Sequence, residues 1–306
     1  MTDGGSVLQN GFGFQWHITW RCAAKCTHCY QSDSDSTAEP DLDDLKNIAA
    51  CIMGSVQGPV TINITGGEPL MYRQHGNSRG VFDLMAYLST FGNLGELNII
   101  TSTLEMDSQA LAGLKSLPKL DYVKVSLESD DRLINDSIRG NGHYQTVVEN
   151  IKKLVGSGLR VIIMATLSKL NYKSVSGLCT LAVELGTHGV IFERFVPLGR
   201  GADGMGGSVL AIDEWRQVLS AIACFAGVSA DDLLPYKAFW VNADAVSGAP
   251  CCLGSGSMAL MPDGTVYPCR RFPLPAGKLP DDKMEKILAE LSGYSSSPQR
   301  CFEFGF

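Results

Sequence analysis

Residues 97–127, LNIITSTLEMDSQALAGLKSLPKLDYVKVSL, hold a β-branched run (97–102), a helical stretch near 107–117 and a second β-rich run (122–127). A strand, a helix and a strand in that order form a βαβ unit, the building block of parallel sheets. The alternation extends both ways. Upstream lie strands at 14–19 (FQWHIT) and 60–65 (VTINIT) and helices over 41–53 and 81–91, the first with Leu42, Leu45, Ile48, Ala49 and Ile52 at helical spacing. Downstream follow a helix over 143–155, a strand at 160–167, a helix over 172–185 and a strand at 189–195. With right-handed crossovers, six such strands predict an α/β fold, a partial (β/α)6 TIM-like barrel with its active residues at the C-terminal strand ends.

The pattern changes after residue 198, where LGRGADGMGGS is a Gly-rich connection. A helix over 212–226 follows, and then a hairpin: SMALM, the turn PDG, and TVYPC ending at Cys269. The predicted organisation is a barrel over 1–210 and, over 211–306, a linker helix plus a small α+β domain.

Composition narrows the function. Net charge is 25 − 32 = −7, so there is no basic footprint for nucleic acid. No run of 18 apolar residues can span a membrane, and the N-terminus has no signal-peptide pattern. A cytoplasmic location is expected. The 306 residues include ten cysteines, which in a chain without an export signal point to metal or redox chemistry.

Cys22-Ala-Ala-Lys-Cys26-Thr-His-Cys29 follows the first strand. Three thiolates this close suit one metal centre. Zinc usually takes four ligands from two separated pairs, whereas three sulfurs on a four-iron cluster leave one iron open. A zinc knuckle or a chance cluster is the plainer alternative. One βα unit later stands Gly66-Gly67-Glu68-Pro69. Paired glycines let backbone approach a ligand closely, and a neighbouring carboxylate can accept from an ammonium group. Alone, this motif reads equally well as a tight turn.

Together the two motifs resemble the radical S-adenosylmethionine (SAM) superfamily. The resemblance implies that Cys22, Cys26 and Cys29 hold a [4Fe–4S] cluster with SAM at its open iron, and that Gly66, Gly67, Glu68 and Pro69 meet the SAM amino group. It implies a ribose site near Thr101-Ser102 and Ser126-Leu127-Glu128, a SAM carboxylate contact from Arg139, a further strand end at Thr166 and Asn171, and adenine near Val196 in Arg194–Gly199. The chain departs from the family at Ser102, where asparagine is usual, and at Glu128-Ser129, where Asp-Gly is usual. His28 stands where an aromatic ring is usual.

Cys251-Cys252-Leu253-Gly254, then Cys269, resembles the opening of a SPASM or shortened twitch domain, which holds auxiliary iron–sulfur clusters. The resemblance implies one auxiliary [4Fe–4S] cluster on Cys251, Cys252, Cys269 and Cys301, or on three of them with Cys252 left out. A zinc ribbon or free thiols are the alternative. Cys51, Cys179 and Cys224 lie in apolar helical patterns and read as core thiols, with Cys224 also a candidate hydrogen-atom donor. Arg270-Arg271, directly after Cys269, reads as a solvated pair, with tuning of the cluster or contact with an acidic substrate as the alternatives.

The implied activity is that of a maturase. It removes a hydrogen atom from a ribosomally made precursor peptide through a 5′-deoxyadenosyl radical, leading to crosslinking, epimerisation or splicease-type excision. The alternatives are dehydrogenation of a small molecule such as an aminocyclitol, and a non-catalytic iron–sulfur protein. A flavodoxin or ferredoxin is the implied reductant. With 13 residues before the first strand, a separate winged-helix leader-binding partner is expected.

Overall fold

The computed structural model describes residues 12–31, 39–72, 80–243, 245–254, 256–272 and 274–294. Six strands run parallel in chain order: β1 (Phe12–His17), β2 (Val60–Thr65), β3 (Leu94–Thr101), β4 (Tyr122–Ser126), β5 (Val161–Leu167) and β6 (Val190–Arg194). Between them lie the helices α1 (Leu42–Ser55), α2 (Gly80–Leu88), α3 (Ser108–Ser116), α4 (Arg132–Arg139), α5 (His143–Gly156) and α6 (Val175–Glu184). The remainder comprises α7 (Arg200–Met205), α8 (Ile212–Ala226), α9 (Ala230–Leu233), β7 (Ala238–Val241), β8 (Val246–Ala249), β9 (Ser257–Leu260), β10 (Thr265–Tyr267), β11 (Gly277–Lys278) and α10 (Met284–Gly293).

The helix-facing side of the sheet is the main core. Phe12, Phe14 and Trp16 of β1, Ile62 and Ile64 of β2, Leu97 and Ile99 of β3, Val123 and Val125 of β4, and Val190 and Phe192 of β6 are all buried at alternate positions. Each such side chain contributes about 1.5–3 kcal/mol by leaving water. Helices answer at 3–4 spacing, as with Leu45, Ile48 and Ile52 of α1 and Val147, Ile151 and Leu154 of α5.

The other face is polar. Strands of a sheet covered on both sides usually read as continuous apolar runs. Here Gln15, His17, Asn63, Asn98, Lys124 and Glu193 occupy the alternate positions, and this marks the working face. Lys124 Nζ donates to Asn63 Oδ1 across the intervening strand, at 2.6 Å. Burial holds its pKa below the usual lysine range.

One expectation is corrected. The sheet stays open: among the described residues eleven strands run in the order β11-β10-β9-β1-β2-β3-β4-β5-β6-β7-β8. The edges that closure of a barrel would join are already taken, β1 by a parallel pairing with β9 and β6 by an antiparallel pairing with β7. The sheet is nevertheless curved. The Arg270 guanidinium reaches Gln15 of β1 at 3.1 Å and also pairs with Glu193 of β6, two strands separated by four others.

Candidate functional site

The cysteine segment leaves the C-terminal end of β1 and is clamped from two sides. Gly67 N–H donates to Thr19 O, and Glu68 N–H donates to Arg21 O, both at 2.8 Å. A Cβ on Gly67 would sit 2.3 Å from Arg21 O, and one on Gly66 (φ +154°) would sit 2.6 Å from Thr19 O. The glycine pair is therefore required by the chain's own loop. From the other side, Gly201 N–H donates to Cys29 O at 2.8 Å, and Gly199 lies so close to Tyr30 that a Cβ would meet its carbonyl at 2.3 Å.

The clamped loop brings Cys22, Cys26 and Cys29 to one cavity of about 140 Å³, shared with Gly66, Gly67, Ser126, Thr166 and Val196. Burial, then the Glu68 carboxylate, pushes the Cys22 thiol up to about 12, and burial raises Cys29 as well. The Arg139 guanidinium lies 3.5 Å from Cys26 Sγ, and Gln31 N–H lies 3.4 Å from Cys29 Sγ. Among the described residues, no three His, Cys, Asp or Glu side chains stand converged at metal distance. The donor set nonetheless suits a thiophilic centre: three sulfurs on one wall, with a cation and a backbone N–H aimed at them.

Two buried carboxylates support the cavity. Both oxygens of Glu68 are satisfied by the chain: Thr101 Oγ1 donates at 2.6 Å, Ser102 Oγ at 2.6 Å, Ser102 N at 2.8 Å and Leu70 N at 3.2 Å. Burial raises its pKa. Glu68 and Pro69 lie behind the wall, while Thr101 and Ser102 form part of it. Serine in place of asparagine thus gives its short hydroxyl to Glu68.

Glu128 differs in sign. Burial opposes its ionisation, but Arg139 and His28 hold its pKa below the usual carboxylate range. Arg139 Nε donates to it at 2.9 Å, and Thr166 N at 2.7 Å. Burial pushes His28, 3.5 Å away, down to about 4. Asn171 fastens the β4 and β5 exits together, donating to Glu128 O at 2.8 Å and Thr166 O at 3.1 Å.

The second cysteine group forms another cavity, of about 260 Å³. Cys251, after β8, and Cys269, after β10, line it with Phe14, Met258 and Tyr236. Cys252 is outside this wall, and its Sγ lies 3.4 Å from Pro250 O. Cys301 lies outside the described residues. The two cavities share Glu193, Arg194, Phe195, Val196, Arg270 and Arg271.

The expectation of a solvated Arg270-Arg271 pair is corrected, since both side chains are mostly buried, 14% and 15% exposed. Both reach the same Glu193 oxygen, Arg271 at 3.3 Å, and together they hold Glu193 down at about 2 against the effect of burial. Arg270 also lies over the Tyr30 ring, 5.4 Å from its centroid. Tyr30 Oη contacts His17 Nε2 at 3.3 Å, and Gln31 Nε2 contacts His17 Nδ1 at 3.1 Å. Burial, assisted by Arg270, pushes His17 down to about 3.

Cys224 is a second correction. It is exposed on α8, so it is not a core thiol, and it lines neither of these two cavities. Cys179 is buried and its thiol is pushed up to about 12, while Cys51 packs half-buried against the core. No helix among the described residues is long and apolar enough to cross a membrane.

The family model described as "Radical SAM superfamily" matches residues 16–182. The antilisterial bacteriocin subtilosin biosynthesis protein AlbA of Bacillus subtilis is 24% identical over 94% of this chain and 61% of its own length. Fe-coproporphyrin III synthase of Methanosarcina barkeri is 28% identical over 68% of this chain and 49% of its own. The chain therefore spans about half to three fifths of the length of these curated relatives. Among solved structures, Streptococcus suis SuiB bound to the precursor peptide SuiA superposes with TM-score 0.71 at 14% identity, covering 94% of this chain and 67% of SuiB.

Proposed function

The chain belongs to the radical SAM superfamily, and on that premise we propose that it is a maturase of ribosomally made peptides. The observation that carries this reading is the first cavity, where three cysteines of one clamped loop share a wall with the strand ends of β4 and β5. Cys22, Cys26 and Cys29 would hold a [4Fe–4S] cluster, and Gly66, Gly67, Ser102, Ser126, Thr166 and Val196 leave room beside them for SAM. Bound there, the cluster and SAM would supply radical chemistry for removing a hydrogen atom from the substrate.

The chain's own residues orient and exclude water. Arg139 offers positive charge beside Cys26 while Glu128 fixes its guanidinium. Glu68 holds Thr101 and Ser102 at the rim. A peptide is favoured as substrate because the second cavity adjoins the first and is large enough for side chains, and because AlbA and SuiB are named for peptide work. Cys251, Cys269 and Cys301, with or without Cys252, would hold one auxiliary cluster in a C-terminal unit (211–306) that follows the 1–210 unit. A leader-binding protein and a flavodoxin or ferredoxin complete the proposed set of partners.

Reconstituted protein, given dithionite and SAM under anaerobic conditions, is expected to release 5′-deoxyadenosine; its absence sinks the enzyme reading. Mass spectrometry of a co-expressed precursor then names the reaction. Loss of two hydrogens means a crosslink, deuterium uptake without further change means epimerisation, and loss of a fragment means excision. The second reading, oxidation of a small molecule, draws on the likeness to Fe-coproporphyrin III synthase. It takes over if every peptide emerges unmodified while 5′-deoxyadenosine forms.

A further inference from the structure

Charge in the second cavity is unbalanced. Its wall carries Lys237, Arg270 and Arg271 beside one acid, Glu193. Glu193 serves both Arg270 and Arg271 through one oxygen, Oε2. Arg270 is held from further sides, by Gln15 and by the Tyr30 ring. Among the described residues, Glu193 is the one acid that the Arg271 guanidinium reaches, at 3.3 Å. Lys237 is half-buried and makes no ion pair among those residues, yet its charge is felt by Glu193. A mostly buried guanidinium that shares its carboxylate with a second one has surplus positive charge, and burying such charge is unfavourable until an anion joins it. The wall also carries polar Gln15, Asn63, Tyr236 and Ser257, with apolar Val209, Leu210 and Leu234 beside them.

We propose that this cavity is a substrate subsite for a carboxylate-bearing residue, with the acid seated on Arg271 and Lys237 and its aliphatic part against Leu210 and Leu234. This rests on the peptide reading above and deepens it by naming the recognised group, a carboxylate on a side chain or at a chain terminus. Arg270 and Glu193 form the fixed floor, and Arg271 is the arm that turns to the ligand. The shared wall then places the acid's neighbours toward the cavity of Cys22, Cys26 and Cys29. Carboxylate recognition by a planar guanidinium is directional, so it fixes register as well as affinity.

The test measures binding to cluster-reconstituted, SAM-loaded protein by calorimetry, with four small probes. N-acetyl-glutamate N-methylamide against its glutamine counterpart reports a side-chain carboxylate. N-acetyl-leucine against its N-methylamide reports a chain-terminal one. One acid of these two pairs is expected to bind about tenfold more tightly than its neutral partner. Arg271→Gln should abolish that preference, Arg271→Lys should keep part of it, and melting temperature checks the fold. If Arg271→Gln fails to fold, Lys237→Gln serves instead and should weaken the acid probe about two- to fivefold without moving the amide. Equal affinities within each pair, or no binding of any probe at about 20 mM, overturn the proposal. The Arg271 charge then belongs to the Cys269 sulfur that its N–H approaches. Because binding is read without turnover, this failure is separate from that of the maturase reading, which would show as unmodified peptides despite a clear acid preference.

Discussion

The two cysteine groups are held by different means. Cys22, Cys26 and Cys29 sit on a loop closed by backbone contacts so tight that glycine is needed at 66, 67 and 199. Cys251 and Cys269 follow short strands of two antiparallel hairpins at opposite edges of the sheet, and Cys251 is exposed. The β9–β1 and β7–β6 ladders join the second group to the core, and charge ties its two edges to each other, through Arg270, Arg271 and Glu193. A site set by backbone shape tolerates little change, whereas a site set by side-chain charge can be retuned by single substitutions and by pH.

The sharpest test of this contrast removes one sulfur from each group. Cys26→Ala should abolish 5′-deoxyadenosine formation, a loss of at least about a thousandfold, as expected when a required ligand is removed. Cys269→Ala should leave reductive SAM cleavage measurable, and equal loss in both variants would break the division of roles. Next in size is Glu193→Gln, which leaves two buried guanidiniums without their carboxylate and should destabilise by about 3–5 kcal/mol in urea unfolding. The sign with pH follows from the depressed pKa. Glu193 is held at about 2 against an ordinary 4.5, so its stabilisation is complete above 4.5 and fades as pH falls toward 2. The difference between wild type and Glu193→Gln should therefore shrink across that window, and a constant difference would remove the ion pair as the cause.

Gly67→Ala comes third. Its Cβ would meet the Arg21 carbonyl at 2.3 Å, and backbone cannot yield cheaply, so a loss of about 1–3 kcal/mol in thermal unfolding is expected. Gly207→Ala, with nothing within 4 Å, is the matched control and should change little. The smallest effect belongs to Cys224→Ser on the exposed face of α8, within about 0.5 kcal/mol and without change in SAM cleavage. In the unmodified protein Cys224 should react with iodoacetamide well before buried Cys179.

Much of the fold was legible because long parallel strands and amphipathic helices carry strong periodic signals. The predicted runs at 60–65, 122–127 and 212–226 meet β2 (Val60–Thr65), β4 (Tyr122–Ser126) and α8 (Ile212–Ala226) within one residue. The two- to four-residue strands β7, β8 and β11 were silent, since so few residues cannot display alternation. The convergence of Cys22, Cys26 and Cys29 on one cavity was legible from their close spacing. The Glu193–Arg270 pair was not, because its partners are 77 residues apart and meet only through the curvature of the sheet. A polar residue breaking an apolar strand, as Glu193 does in VIFER, was the available signal. Cys224 was misread from apolar neighbours. The buried register of α8 runs Trp215, Val218, Leu219, Ile222, and that spacing leads past 224.

The parallel pairing of β1 with β9 has a consequence in time. Gly13 finds its partner at Ser257, 257 − 13 = 244 residues later in synthesis. At about 5–20 residues per second the ribosome needs roughly 12–50 s to supply it. Throughout that interval the outer edge of β1 is an unpaired row of amides, open to any other extended chain. The nascent protein is thus exposed to mispairing at β1, and a chaperone that covers nascent edges should raise its soluble yield more than one that acts after release.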